Sequence, residues 1–157
     1  METLEFIERF IDFIARFDYN TLVLYLEGRV RTASFPYPSP SESYNPDEMK
    51  RIVAYAARKG IDVVPAVQAI GHAELFLKHR ELADLWELRE TAGRGRWKGL
   101  SRRPDTFCPS RPQTRAFLDA YFRDLAAIFP SPWFHAGLDE AWHLGICPAC
   151  RAHPDGQ

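Results

Sequence analysis

The chain has 157 residues, of which 46% are hydrophobic and 26% charged, a composition that is typical of one globular domain and excludes wholesale disorder. Its formal net charge of -1 provides no overall field that would attract nucleic acid or an anionic membrane surface. No apolar run approaches the ~20 residues that a membrane span requires, and three cysteines, an odd number, argue against a disulfide framework. Together with an acidic N-terminus that is unlike a secretory signal, these features favour a reducing, cytoplasmic location.

The first half of the chain predicts two helices, each followed by a strand. Residues 4–17 carry apolar side chains at helical spacing, and the continuous apolar run 21–26 is typical of a strand covered on both faces. The second helix has signals at both ends, with a capping box opened by Asn45 and a terminating Gly60. The apolar run 61–67 then predicts a second strand.

The second half of the chain continues this alternation. Residues 72–77 predict a third helix, and the stretch 80–108 is irregular. Ser110 is a capping signal for a further helix, which ends at Pro130, and residues 133–137 predict a third buried strand. Buried strands that alternate with helices imply an α/β fold with a parallel sheet and helical crossovers.

Polar side chains follow each of the three predicted strands. Glu27 comes after the first strand, and Gln68 and His72 follow the second. The third strand ends in the adjacent carboxylates Asp139 and Glu140. The carboxyl ends of parallel strands meet at one edge of a sheet, which is where sites assemble in such folds. Two acids at this edge are costly for folding but suit a hydrolase, in which one group moves a proton and its neighbour holds the substrate.

Each of these residues also has a purely structural interpretation. Glu27 also fits a solvated strand end, and His72 also fits the start of a helix. Asp139 and Glu140 also fit the N-terminus of a helix, where carboxylates complement the helix dipole, although the flanking residues favour this interpretation less. His135 is compatible with a hydrogen-bonded interior histidine.

Three motifs give the sequence a family resemblance. The run 135–140 (His-Ala-Gly-Leu-Asp-Glu) matches the His-x-Gly-x-Asp-Glu signature at the end of the fourth barrel strand of glycoside hydrolase family 20, the β-N-acetylhexosaminidases. The Gln-x-x-Gly-His-x-Glu element at 68–74 and the Cys-Pro pair at 108–109 resemble the hexosaminidase D-like branch of that family. Gln68 departs from the Asp of many family members, but this branch tolerates glutamine there.

The resemblance implies that residues 1–157 form part of a family 20 catalytic domain, from helix one through strand four and the following loop of a (β/α)8 TIM barrel. It implies removal of terminal β-linked N-acetylhexosamine by substrate-assisted retaining catalysis, without a cofactor or metal. Glu140 would be the general acid/base, and Asp139 would orient the 2-acetamido group, whose carbonyl oxygen attacks the anomeric carbon. The further substrate-binding residues would be Glu27, His72, His135 and Trp142.

The resemblance covers nearly the whole chain but only about half of a barrel, since a closed (β/α)8 barrel takes about 250 residues. Strand one and strands five to eight of the family's barrel are expected to be missing, together with parts of the sugar pocket. We therefore expect the isolated chain to be an incomplete fragment with weak activity or none. We also expect its open barrel edges to promote self-association.

Three other functions compete with this interpretation. A non-catalytic carbohydrate-binding fragment would keep part of the cleft without turnover. Cys147 and Cys150 have the spacing of a zinc-binding module, with further ligands among His143, His153 and Cys108, although a second Cys-x-x-Cys pair is lacking. Nucleic-acid binding through a local basic patch is the weakest alternative, because the net charge is -1. The basic side chains of this patch are Arg94, Arg96, Lys98, Arg102 and Arg103.

Overall fold

The structure is a computed structural model that describes residues 1–91 and 104–152. In chain order the elements are α1 (Leu4–Ala15), β1 (Thr21–Tyr25), α2 (Pro46–Ala57), β2 (Asp62–Gln68), α3 (Glu74–Leu77), a 3₁₀ helix (Arg80–Leu85), α4 (Pro112–Ala126), β3 (His135–Gly137) and α5 (Pro148–Arg151). The chain divides into two compact units, the first holding Met1–Val67 with Ala120–His135 and the second Gln68–Asp119 with Ala136–Gln157. Within the described ranges, no helix is both long and apolar enough to cross a bilayer.

Helices α1 and α2 pack against each other in the first unit. Arg51 of α2 donates two hydrogen bonds of 2.9 and 3.0 Å to the carboxylate of Glu8 on α1. The predicted capping box of α2 is confirmed: the Asn45 side chain accepts from the Glu48 backbone, and the Glu48 side chain accepts from the Asn45 backbone. This exchange satisfies two backbone donors and fixes where the helix begins. The residues that the two helices bury are Ile7, Ile11 and Ile14 of α1 and Met49, Ile52 and Ala56 of α2.

The three strands form one sheet in the order β1-β2-β3, and β1 runs parallel to β2 with Thr21 opposite Asp62. Every residue of β2 after Asp62 is buried, as its apolar run predicts. Strand β1 contradicts the prediction of a strand covered on both faces, since its residues alternate between exposed and partly buried. It is an edge strand with one face covered, a situation that a continuous apolar run does not reveal.

The third strand also differs from the prediction. Strand β3 holds only His135–Gly137, and only Gly137 in it is buried, whereas the sequence predicts a buried strand over 133–137. Trp133, the largest apolar side chain of that run, is 70% exposed. The preceding helix α4 begins at Pro112, two residues after the predicted cap Ser110. An apolar run indicates which residues favour burial, but the neighbouring elements decide whether they are covered.

Candidate active site

The end of β2 lies directly against the backbone of β3. The N–H of Ala69 donates to the carbonyl oxygen of Gly137 at 2.8 Å. The buried side chain of Gln68 fills the space beside Gly137, because a Cβ on that glycine would lie only 2.0 Å from Gln68 Oε1. Glycine at 137 therefore has a packing reason, which is the close approach of the Gln68 side chain to the backbone of β3.

A second glycine brings the segment after β2 against the acidic pair. A Cβ on Gly71 would lie 2.2 Å from the carbonyl oxygen of Asp139 and 2.9 Å from the carbonyl carbon of Glu140. These are backbone atoms, which cannot rotate away as the end of a side chain can. Glycine at 71 thus permits a backbone contact that positions the next residue, His72, beside both carboxylates.

His72 lies close to both acids. Its Nε2 is 3.0 Å from Oε2 of Glu140 and 3.6 Å from Oδ2 of Asp139. The side chains of Asp139 and Glu140 are 61% and 54% exposed, so a ligand can reach them. We refer to His72, Asp139 and Glu140 as the His–acid cluster. An imidazole at these distances can orient the two carboxylates, and their exposed atoms are accessible to a substrate for proton transfer and hydrogen bonding.

Three of the candidate residues have an unusual backbone conformation. Glu27, His72 and Glu140 have φ angles of 48°, 51° and 48°, in the left-handed region that residues other than glycine avoid. Among the non-glycine residues that the structure describes, only Asp18 shares this property. Such conformations cost about 1–3 kcal/mol each and are concentrated at functional sites. The strain therefore supports a functional role for the segments that follow β1, β2 and β3.

Comparison with known proteins identifies the family of this chain. The model of the glycosyl hydrolase family 20 catalytic domain matches residues 24–154. The chain belongs to glycosyl hydrolase family 20. A curated relative, hexosaminidase D from Bos taurus, is 34% identical over 71% of this chain and 31% of its own length. The chain spans about a third of the length of the curated relatives that it matches first.

Solved structures of β-hexosaminidases share the fold. A β-N-acetylhexosaminidase from Bacteroides fragilis NCTC 9343 has a TM-score of 0.76 at 26% identity, covering 96% of this chain and 32% of that one. A mutant β-hexosaminidase from Streptomyces plicatus in complex with its product GlcNAc has a TM-score of 0.70 at 28% identity, covering 90% of this chain and 30% of that one. The predicted fold class, a partial (β/α)8 barrel with parallel strands and crossover helices, is confirmed.

Within this family 20 chain, the structure rules out three of the structural alternatives. His72 does not begin a helix, since α3 starts at Glu74 and has no side-chain cap. Asp139 and Glu140 lie in a turn, and the next helix along the chain is α5, so they are not the N-terminal charges of a helix. His135 is exposed, so the interpretation as an interior histidine is wrong.

The predicted site residues are divided between the two units. Trp142 belongs to the second unit with the His–acid cluster; its N–H donates to the carbonyl oxygen of Glu140 at 2.8 Å, and its side chain is 48% exposed. Glu27 belongs to the first unit, where its carboxylate lies 3.6 Å from the guanidinium of Arg29. His135 is also a residue of the first unit. A shared role of Glu27 and His135 with the cluster therefore stays a prediction.

Sequence reasoning misses one member of a second polar cluster. Cys108, Cys147 and Cys150 are free and buried, and the carboxylate of buried Glu87 lies among their thiols. Lost hydration on burial is the main reason why the pKa values of the Cys108 and Cys150 thiols are raised. The zinc hypothesis includes the three cysteines but not Glu87. Its signal in the sequence is weak, because Glu87 is one of two carboxylates in the leucine-rich stretch 82–88, the other being Asp84.

The sequence also names two histidines as possible metal ligands and a basic patch as a possible nucleic-acid surface. His143 is buried, its Nε2 lies 3.9 Å from Oδ2 of Asp105, and it is not one of the four residues of the thiol cluster. His153 and the basic patch at 94–103 lie outside the described residues.

Proposed function

We propose that this chain carries the catalytic acids of a β-N-acetylhexosaminidase, which removes terminal β-linked N-acetylhexosamine with retention of configuration. The His–acid cluster is the observation that carries this proposal, because it presents two neighbouring, exposed carboxylates 3.0 and 3.6 Å from one imidazole nitrogen. Family membership supports the reaction class, and the GlcNAc product bound to the Streptomyces plicatus relative supports the substrate class.

Two adjacent acids suit a reaction in which the substrate supplies its own nucleophile. Protonated Glu140 donates a proton to the glycosidic oxygen as its bond to the anomeric carbon breaks. The carbonyl oxygen of the 2-acetamido group attacks that carbon and closes a positively charged oxazolinium ring. Asp139 accepts a hydrogen bond from the acetamido N–H and stabilises the new charge. Such chemistry needs no protein nucleophile on the opposite face of the sugar.

The second half of the reaction returns the cluster to its starting state. The Glu140 carboxylate takes a proton from a water molecule as that water attacks the anomeric carbon. The bond from the acetamido oxygen to this carbon breaks, and Glu140 is protonated again. Two successive inversions at one carbon give net retention of configuration. His72 is a positioning residue in this scheme, since it touches both acids.

The remaining predicted residues would bind the sugar. Trp142 lies two residues after Glu140 and is 48% exposed, so its indole ring offers an apolar face for a pyranose ring. Glu27 and His135 supply hydrogen-bonding groups for sugar hydroxyls. The left-handed backbone of Glu27 supports its assignment, because such strain at a strand end is typical of functional segments.

Two aryl β-glycosides with the same leaving group test the proposal, one with a 2-acetamido group and one with a 2-hydroxyl group. We expect the chain to hydrolyse the acetamido substrate at least about 1000-fold faster, because only that substrate contains the intramolecular nucleophile. Turnover is expected to be weak in a chain that spans about a third of its relatives, so product is followed by mass spectrometry over long incubations. NMR of the first-formed sugar should show the β anomer.

The outcomes separate the proposal from its alternative. Equal rates for the two substrates, or an α-configured first product, would contradict substrate-assisted catalysis. GlcNAc binding that shifts the His72 imidazole signals, without any turnover, would favour the non-catalytic carbohydrate-binding fragment. A folded chain that shows neither turnover nor binding would exclude both functions for the isolated chain.

An exposed apolar face in the first unit supports a second proposal, that this chain associates with another copy of itself. Aromatic side chains of α1 and residues of the edge strand β1 line an open groove of about 490 Å³. An edge strand beside exposed aromatic rings is a typical site of association between chains. The exposed side chains are Phe6, Phe10, Phe13 and Phe17 of α1 and Val23 and Tyr25 of β1.

Sedimentation velocity at several concentrations tests this association. We expect a concentration-dependent dimer, and we expect Phe13→Asp to weaken it at least 10-fold, because burying a carboxylate against an apolar partner is costly. Leu138→Asp is the matched control, since Leu138 is 63% exposed but belongs to the second unit. A wild-type chain that remains monomeric at its highest soluble concentration would refute the proposal, as would equal effects of the two substitutions.

A further inference from the structure

The buried thiols of the second unit form a compact cluster with one carboxylate. Cys108 Sγ lies 3.5 Å from Cys147 Sγ and 3.6 Å from Cys150 Sγ. Cys150 Sγ lies 3.3 Å from Oε2 of Glu87. One candidate ligand atom from each residue lies within 4.8 Å of the others, and all four residues are buried. We refer to these residues as the Cys3Glu cluster.

The spacing of the sulfur atoms fits a tetrahedral zinc ion. Zinc–sulfur bonds of about 2.3 Å place neighbouring sulfurs of a tetrahedron about 3.8 Å apart, and the observed separations of 3.5 and 3.6 Å are close to this value. A disulfide would require about 2.05 Å, and all three cysteines are free. Thiolate ligands favour zinc over the hard cations magnesium and calcium.

Glu87 is held in the orientation that a fourth ligand needs. Its Oε1 accepts hydrogen bonds from the backbone N–H groups of Ile146 and Cys147 at 2.7 and 2.8 Å, while its Oε2 faces the thiols. Hydrogen bonds of this kind orient the ligands of metal sites. A fully buried carboxylate such as that of Glu87 is costly unless a positive charge compensates it. None of the ion pairs within the described ranges joins Glu87 to a Lys or Arg. A metal ion would provide that charge.

Two further features favour metal ligation by the cysteines. The N–H of Cys150 donates to Sγ of Cys147 at 3.4 Å, which stabilises negative charge on that sulfur. The guanidinium of Arg111 interacts electrostatically with Cys108 and Cys147. Three thiolates and one carboxylate exceed the charge of a divalent ion by two, and Arg111, which also forms an ion pair with Glu90, offsets part of this surplus.

We propose that the Cys3Glu cluster is a structural zinc site. Four buried protein ligands leave no position for water or substrate, which is typical of structural rather than catalytic zinc. The ion would join the segment after the 3₁₀ helix, which carries Glu87, to Cys108 and to the start of α5. The chain between Glu140 and Cys147 is short and consists of turns, so the metal would also tether the segment that leaves the acidic pair.

Metal analysis of the 157-residue chain tests the proposal without any assay of activity. For chain purified under reducing conditions without chelator, we expect about one zinc ion per molecule. We expect chelation to remove the ion and to lower the Tm by about 10 °C, as loss of a tightly bound ligand does for a domain of this size. Reconstitution with Co²⁺ should give thiolate-to-cobalt charge-transfer absorption and the d–d bands of tetrahedral coordination.

Variants identify the ligands. We expect Cys147→Ser and Glu87→Gln each to weaken zinc binding at least 10-fold, whereas Glu81→Gln, on an exposed residue of the 3₁₀ helix, should bind as the wild type does. If a variant fails to fold, the cobalt spectrum of the wild type still tests whether thiolates bind the metal. Zinc below about 0.1 per chain, a cobalt complex without the thiolate band, or a single free thiol in the reduced preparation would each overturn the proposal.

Discussion

Gly71→Ala is expected to destabilise the chain by about 3 kcal/mol and to displace His72 from the acidic pair. The new Cβ would lie 2.2 Å from the carbonyl oxygen of Asp139 and 2.9 Å from the carbonyl carbon of Glu140. Neither atom can move without a shift of the backbone, because both belong to the peptide chain rather than to a flexible side chain. The loop after β2 and the acidic pair must therefore separate.

A second glycine provides the control for this substitution. Gly145 has a φ of 79° and no atom within 4 Å of its hypothetical Cβ, so Gly145→Ala tests backbone strain without a steric clash. We expect Gly145→Ala to cost about 1 kcal/mol. Urea unfolding gives both free energies, and the NMR signals of the His72 imidazole report the geometry of the cluster. A Gly71→Ala variant that is as stable as Gly145→Ala and keeps the wild-type His72 signals would contradict the close contact between Gly71 and the backbone of the acidic pair.

The sequence predicts those parts of the fold that local chemistry determines. The capping box at Asn45 and Glu48 requires only residues within one turn, and the structure contains it as predicted. Strand β2 is predicted correctly because it is central in the sheet, so its apolar run is covered. Strand β1 and the run 133–137, which contains β3, also carry apolar residues, but their burial depends on neighbouring elements that a linear pattern does not contain.

The sequence predicts the site only in part, because some of its features also depend on contacts between distant segments. Polar residues at predicted strand ends can be recognised in the sequence, and they predict His72, Asp139 and Glu140 as residues of the site. The left-handed conformation of His72 and Glu140 is not visible in the sequence, because histidine and glutamate both adopt a negative φ at most positions. Glu87 joins three cysteines that are distant in the chain, so only the fold brings this ligand set together.

Glu140→Gln is expected to slow hydrolysis of an unactivated N-acetylglucosaminide by about 10²–10⁴-fold, the usual contribution of a general acid. Glutamine keeps the size of the side chain and an acceptor oxygen but cannot donate the proton that the leaving group needs. The loss should be smaller for an aryl glycoside whose phenolate leaves readily, because that bond breaks with little protonation. Rates for a series of aryl glycosides of rising phenol pKa therefore measure how much Glu140 contributes as the proton donor. Full activity of the variant on the unactivated substrate would disprove the assignment.

Asp139→Asn distinguishes the role of Asp139 in stabilising the oxazolinium from the role of Glu140 as proton donor. If Asp139 stabilises the oxazolinium charge, its loss slows every substrate by a similar factor of about 10²–10³, whatever the leaving group, because the acetamido group attacks in each case. Glu81→Gln, at an exposed position of the 3₁₀ helix, controls for the loss of one negative charge and should leave all rates unchanged. A dependence on the leaving group in Asp139→Asn, with none in Glu140→Gln, would reverse the two roles. Asp139 would then be the proton donor, and Glu140 would stabilise the oxazolinium charge.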